Sequence, residues 1–485
     1  MKDFLVEMRV LRRVAIAMST FIIPISLSTT WLYFAFEYSD VLISFIVFSS
    51  FLKIVTILHV LSYKRRNEKA TLFWILFIIV LPMYGSFFYV VNGSHYIKYD
   101  VKLKRKNKER AELFNLKESR FMLRDSNYES YKIFTNGFDK YNSLIDDLMS
   151  AKKEIIIQYF IVRSDYVFNT IYKILEKKEK EGVKIMIATD FVGSWTFDLK
   201  KFKELKKTGM ETDVYNPVVA SMSQGSMNHR NHRKAVIIDS NIVYAGGMNL
   251  AKYYGGMSSK FGIWIDLHFR FIGKALASEY KRTFMLDWKY SKKQTEIPNK
   301  VKVENESNIT VFDDGPDISE PILLNYLVEK IDKTEKKLYI AMPYPIFPVK
   351  LEKSIINAKK RGVEVIVIAP GIPDKLSAYC VSYAYMKKLS QNGIITKRID
   401  GIFLHSKLII ADDEVITGTS NTDYRSFYQH YETNFVLKED KIVNELNDLF
   451  KEYISMSYEI KYKFKKIPAI DSAIYYLFKI PSPVL

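Results

Sequence analysis

Cysteine is almost absent from this chain of 485 residues: Cys380 stands alone. A lone thiol excludes an internal disulfide and any cysteine-cluster zinc site. Histidine is scarce too, with 7 in all. No His/Asp spacing fits a metal-ligand set, so neither a metal nor another cofactor is expected. Acidic residues are in deficit, 54 against 72 Lys and Arg, for a net charge of +18. That imbalance implies an anionic partner: nucleic acid, a phosphorylated substrate or acidic lipid.

Apolar runs, by contrast, are abundant near the N-terminus. Val14–Phe36, Val41–Leu61 and Ala70–Val91 are each about as long as a bilayer-spanning helix. No small-residue cleavage site closes the first run, which argues against a cleaved signal peptide. The tail carries Lys2, Arg9, Arg12 and Arg13, and the second loop carries Lys64, Arg65, Arg66 and Lys69, while Glu37–Asp40 is acidic. The positive-inside rule therefore puts the N-terminus and second loop in the cytoplasm. Three full crossings would leave the rest of the chain outside. Yet the next segment is the most basic of all, with Lys98, Lys102, Lys104, Arg105, Lys106, Lys108 and Arg110. A hairpin bent at Leu81-Pro82-Met83-Tyr84-Gly85 would resolve the conflict and keep the catalytic part cytoplasmic, although such a break is also tolerated within a spanning helix, which leaves two or three crossings open.

From about Glu112 the pattern becomes that of an α/β protein. Strand, helix, glycine stop and strand follow one another over Glu154–Thr189, and the same order recurs over Lys337–Ala369. The phrase Glu181-Gly182-Val183-Lys184-Ile185 is echoed by Arg361-Gly362-Val363-Glu364-Val365. An internal repeat of roughly 170 residues is a duplicated domain, not a solenoid. The expected partition is membrane-anchoring helices over 1–92, a first α/β lobe over 93–295 and a second over 296–485. Ser291–Glu306 reads as the linker, and Phe464–Leu485 as a membrane-proximal tail.

Each repeat carries one short pattern, H-x-K-x4-D. The first is His232, Lys234 and Asp239; the second is His405, Lys407 and Asp412. On a strand, the His and Lys at i and i+2 face the same way. The Asp lies an odd number of residues beyond the His, so within this candidate catalytic set it is expected to brace the turn. Turns ending in Asn249 and Asn421 follow, and their amides are expected to reach the same phosphate oxygens. Two imidazoles and two ammonium groups supply a nucleophile, a proton donor and two cations for attack on a phosphodiester without a metal. Asp266 and Glu432, in apolar alternating segments, suit the task of holding the far nitrogen of an imidazole. One copy alone would be a weak pattern; two copies inside a repeat suggest one site at a pseudo-two-fold interface.

Together these residues are the signature of the phospholipase D superfamily. The flanking sequence resembles bacterial cardiolipin synthases: Tyr215-Asn216-Pro217 and Arg230-Asn231-His232-Arg233-Lys234 in one half, Phe403-Leu404-His405-Ser406-Lys407 and Gly418 to Phe427 in the other, and Pro82-Met83-Tyr84-Gly85 in the N-terminal hairpin. Pro345, and Asp266 where the second half has Glu, depart from the family pattern. The resemblance implies two similar α/β lobes sharing one active site. It implies the conversion of two phosphatidylglycerol molecules to cardiolipin and glycerol through a phosphatidyl-histidine, with His232 as nucleophile and His405 as acid–base. Phosphatidylglycerol and anionic membrane lipid are the implied partners, in the cell membrane, and nucleic acid is not. A phospholipase D or a phosphatidylethanolamine-using transferase is the alternative enzymatic reading.

Overall fold

The computed structural model describes residues 39–62, 68–92, 123–195, 207–217, 228–256, 263–292, 307–318 and 320–460, together with 106, 108, 109, 112, 204, 205, 226, 297–299 and 301. The apolar run 14–36 and the tail 464–485 lie outside these residues, as does most of the stretches 98–110 and 291–306. Two compact units result, Met1–Ser94 and His95–Leu485.

In the first unit, Ser39–Ser62 is one helix, and Ile43–Leu61 within it is long and apolar enough to cross a membrane. The run 70–91 is not a single span. It breaks into the helices Glu68–Val80 and Pro82–Asn92, because Pro82 cannot supply the amide hydrogen that would continue the ladder. A Cβ on Gly85 would lie 2.7 Å from the Phe77 carbonyl oxygen and 2.8 Å from the Ile78 Cα, so only glycine permits the close return. Trp74 then meets Tyr89 edge-on at 5.4 Å. Helices of 13 and 11 residues reach roughly 20 and 17 Å, short of the ~30 Å hydrocarbon core.

The second unit contains the duplication, visible as one topology used twice. The first sheet runs Ser130–Phe134, His268–Ile272, Ile242–Gly246, Ala235–Ile238, Glu154–Tyr159, Lys184–Asp190, Glu211–Tyr215. The second repeats that order with Ile309–Asp314, His430–Leu437, Glu414–Gly418, Leu408–Ala411, Lys337–Ala341, Glu364–Pro370, Ile395–Ile399. Within each sheet the last three strands are parallel and the others antiparallel. Central strands such as Ala235–Ile238 and Leu408–Ala411 are buried throughout, as strands covered on both faces must be.

The lobes are not separable bodies. One core layer mixes Ile156, Ile237, Phe269 and Phe271 of the first sheet with Leu408, Ile410 and Phe435 of the second. Phe435 lies edge-on to Phe269 at 5.3 Å and to Phe271 at 5.7 Å. Outer layers fill each lobe separately. The sequence partition is also crossed: Arg124–Ser126, early in the chain, forms an edge of the second sheet against Ile309–Asp314.

Both Asp residues of the repeated pattern sit at strand ends, with φ of 54°, a conformation that Asp tolerates better than most residues. Asp239 accepts from the amides of Lys152, Lys153 and Glu154 at 2.9, 2.6 and 3.0 Å. Asp412 accepts from Glu335, Lys336 and Lys337 at 2.9, 2.9 and 3.0 Å. Partial burial acts to raise their pKa values, but the amide donors outweigh it and hold both below the usual range. Asp239→Ala and Asp412→Ala should each cost about 2 kcal/mol of stability through lost charge-assisted bonds and the left-handed backbone. Unchanged urea midpoints would show that the braces are dispensable.

Candidate active site

Neither H-x-K segment lies within a ladder. His232–Lys234 falls between the strands Arg230–Asn231 and Ala235–Ile238, and His405–Lys407 between Ile402–Leu404 and Leu408–Ala411. The reason is that each segment crosses to the other lobe. Arg230–Asn231 pairs in parallel with His430–Tyr431, and the His232 amide donates to the Tyr431 carbonyl at 2.9 Å. Ile402–Leu404 pairs in parallel with Ile263–Ile265, and the His405 amide donates to the Ile265 carbonyl at 2.7 Å. The residue after each of those paired segments is an acid, Glu432 within its strand and Asp266 just past its own.

The carboxylates are therefore exchanged between lobes. His232 Nδ1 lies 2.8 and 2.9 Å from the two oxygens of Glu432. His405 Nδ1 lies 2.5 Å from Asp266 Oδ2. Thr419 donates to Glu432 Oε2 at 2.6 Å, and the Leu267 amide donates to Asp266 Oδ1 at 2.8 Å. These bonds leave Nε2 of each imidazole as the nitrogen available to a substrate. Phe160 flanks the His232 ring at 4.9 Å, and Trp264 flanks His405 at 5.2 Å. Lys234 Nζ donates to the His232 carbonyl at 2.5 Å, and Lys407 Nζ to the His405 carbonyl at 2.6 Å. Lys407 Nζ is also 3.3 Å from His405 Nε2.

All six side chains are buried and share one electrostatic field. Burial lowers Lys234 to about 7 and Lys407 to about 8; each also feels both Glu432 and Asp266. Burial holds His232 well below its usual range, against the pull of Glu432. Burial and then Lys407 lower His405 to about 4. Burial favours the neutral form of each of these four groups, and an arriving phosphodiester anion would favour the charged form.

Asn249 departs from expectation. Its Oδ1 accepts from the Ile161 amide at 3.0 Å and its Nδ2 donates to the Tyr254 hydroxyl at 2.5 Å, so it holds a loop instead of facing the cleft. Asn421 donates its backbone amide to Ser426 Oγ at 3.3 Å, and its Oδ1 is buried with no hydrogen-bond partner among the described residues.

This arrangement has relatives. The family described as "Cardiolipin synthase, PLD-like domain" matches residues 144–288 and 327–454, more than half of the chain. The chain belongs to the cardiolipin synthase family. A phospholipase D-nuclease N-terminal family also matches residues 51–93. The "Major cardiolipin synthase ClsA" of Bacillus subtilis is 30% identical over 458 residues, covering 87% of this chain and 95% of the relative. The cardiolipin synthase of Listeria welshimeri is 29% identical over 432 residues, covering 82% and 89%. The solved phosphatidylserine synthase of Haemophilus influenzae shares the fold, with a TM-score of 0.57 at 16% identity, covering 79% of this chain and all of that one. As a member of the cardiolipin synthase family, the chain is a membrane-associated phosphatidyltransferase whose substrates are phospholipids.

Several site residues escape sequence reasoning in this family member. Thr419, inside the Gly418–Asn421 turn, orients Glu432 from an unremarkable position. Arg233, between His232 and Lys234, is buried and donates to Asp287 and, at 2.9 Å, to Thr433 Oγ1. Lys106, from the basic segment after the apolar runs, is buried with its Nζ 2.7 Å from Asp287 Oδ1 and 4.0 Å from the centre of the Tyr431 ring. A signal for Arg233 was available: a cation leading directly into the fully buried strand Ala235–Ile238 requires a partner.

The lowered pKa of His405 has a stability consequence. The unfolded chain takes up a proton near pH ~6.5, whereas the folded ring resists it until about 4. Its contribution is complete above the unfolded value and is lost as pH falls toward 4. The urea midpoint should decline across that window, and less steeply in His405→Gln protein. Parallel slopes for the two proteins would refute the assignment.

Proposed function

We propose that the protein joins two phosphatidylglycerol molecules into cardiolipin and glycerol, with His232 as nucleophile and His405 as acid–base. The crossed pairing of each histidine with the other lobe's carboxylate carries this reading, because it brings two oriented imidazoles and two lysines to one buried cleft.

In the first half-reaction, His232 Nε2 attacks the phosphorus of the donor. Glu432 accepts from Nδ1–H and stabilises the ring as it gains positive charge. The bond from phosphorus to the glycerol oxygen breaks, and His405 protonates the departing alkoxide. Binding of the phosphodiester anion raises the proton affinity of His405, so the acid arrives with the substrate. In the second half, His405 takes the proton from the primary hydroxyl of a second phosphatidylglycerol. That oxygen attacks phosphorus, and His232 leaves as neutral imidazole. Lys234 and Lys407 neutralise the equatorial oxygens throughout, and Asn421 offers its amide to the same charge. The number of phosphodiesters bonded to glycerol is conserved, so no nucleotide is required.

Membrane anchoring supports transfer over hydrolysis by confining the acceptor lipid near the site. We place the lobes on the cytoplasmic face. Ile43–Leu61 crosses, and the two helices over 68–92 enter and return on one side. The tested case is purified full-length protein in mixed micelles with glycerol-labelled phosphatidylglycerol. Cardiolipin and free glycerol should appear in equal amounts. Phosphatidic acid without cardiolipin would mark a phospholipase D, and ethanolamine release on adding phosphatidylethanolamine would mark the other donor.

A further inference from the structure

The third histidine in the cleft has no place in this chemistry. His430 lies two residues before Glu432 on the strand His430–Leu437, so both side chains share a face. Its ring is 9% exposed and lies 5.3 Å from the ring of His232, centre to centre. Among the described residues neither of its nitrogens has a hydrogen-bond partner. Nδ1 stops 3.5 Å from Glu432 Oε1, longer than a well-formed bond. A buried imidazole with two unsatisfied nitrogens is costly unless something else takes its lone pair.

We propose that His232, His430 and Glu432 form a site for one divalent ion of the zinc type, and that filling it switches the enzyme off. One ligand atom from each of the three lies within 4.8 Å of the others. Zinc holds His nitrogen and carboxylate oxygen at about 2.0–2.1 Å, which places tetrahedral ligands roughly 3.3 Å apart. Two edges of the triangle, 2.8 Å from His232 to Glu432 and 3.5 Å from His430 to Glu432, bracket that spacing. Two neutral imidazoles and one carboxylate are the donor set of a three-ligand zinc centre, with the fourth position open to water. Harder ions such as magnesium prefer an all-oxygen shell and should not compete.

Such a set could not be read from spacing, because its members come from opposite lobes. Occupation stops transfer for a geometric reason. An ion inserted where Glu432 meets His232 Nδ1 takes the Nδ1 lone pair, so the one proton of the neutral ring moves from Nδ1 to Nε2 and the nitrogen that must attack phosphorus no longer has a free lone pair. Lys234 feels the same carboxylate, so the ion competes with a neighbouring cation and remains removable.

The test uses metal-free, full-length protein in detergent. Equilibrium dialysis against zinc should give one ion per chain, and cobalt in its place should show the intense visible bands of a tetrahedral site. Zinc should abolish turnover and chelator should restore it. His430→Asn should keep turnover, bind zinc at least about tenfold more weakly and lose both the cobalt bands and the zinc sensitivity. His430→Gln provides a second folded variant if the first is unstable. Equal zinc binding by wild type and both variants, or no binding by wild type, would overturn the proposal. The binding readouts need no lipid, so they stand apart from the identity of the substrate.

Discussion

His232→Ala protein should make no cardiolipin and form no covalent lipid adduct, whereas His405→Ala protein should form the adduct slowly and then hold it. The two imidazoles carry similar braces but different tasks in the proposed reaction. Without His232 there is no nucleophile, and a loss of at least ~10³-fold follows from removing a covalent step. Without His405, expulsion of glycerol lacks its proton and the acceptor hydroxyl lacks its base, each worth about 10²–10⁴-fold. Attack on an activated donor with a good leaving group should therefore still load His232, and mass spectrometry should find phosphatidyl-His232 accumulating. An adduct on His405 in His232→Ala protein would reverse the assignment. Normal turnover in either variant would refute a shared site.

Asp287→Ala should be among the most destabilising substitutions in the second unit. Asp287 lies on the helix Lys274–Lys292 and is buried between two cations. Lys106 contacts one of its oxygens at 2.7 Å and Arg233 contacts the other. Removing one partner of a buried pair leaves an uncompensated charge and costs about 3–5 kcal/mol. Arg233 also lies 3.6 Å from Asp313 Oδ1, which softens the loss on that side, so the lower end of that range is expected. Arg233 sits between His232 and Lys234 in the chain, so any shift it makes also displaces the reacting groups. Asp287→Asn keeps the shape and some hydrogen bonding and should fall between. A urea midpoint within error of wild type for Asp287→Ala would show that the network is not needed for stability.

Much of this protein was legible in one dimension. The repeat announced two similar lobes because a duplicated strand–helix–strand pattern keeps its periodicity whatever lies next to it. The spacing of His232 with Lys234, and of His405 with Lys407, carried the local arrangement, since neighbours at i and i+2 are bound to each other by the backbone. The odd offset to Asp239 and Asp412 assumed an unbroken strand, which the structure does not have; the two carboxylates brace because each accepts from three backbone amides at its strand end. Even the break at Pro82 was written locally, in a missing amide hydrogen and a glycine that must accept a close backbone.

Tertiary structure alone decided which groups far apart in sequence would meet. Glu432 follows His405 in the chain, yet it orients His232; Asp266 follows His232, yet it orients His405. The cause is a pair of short parallel ladders between lobes, Arg230–Asn231 with His430–Tyr431 and Ile402–Leu404 with Ile263–Ile265. Pairing of that kind depends on how two sheets are pressed together by their common core, and no periodicity within either lobe encodes it. The same contact set His430 beside His232. Sequence determined the reactive groups and their local geometry; the packing of the lobes determined their partners.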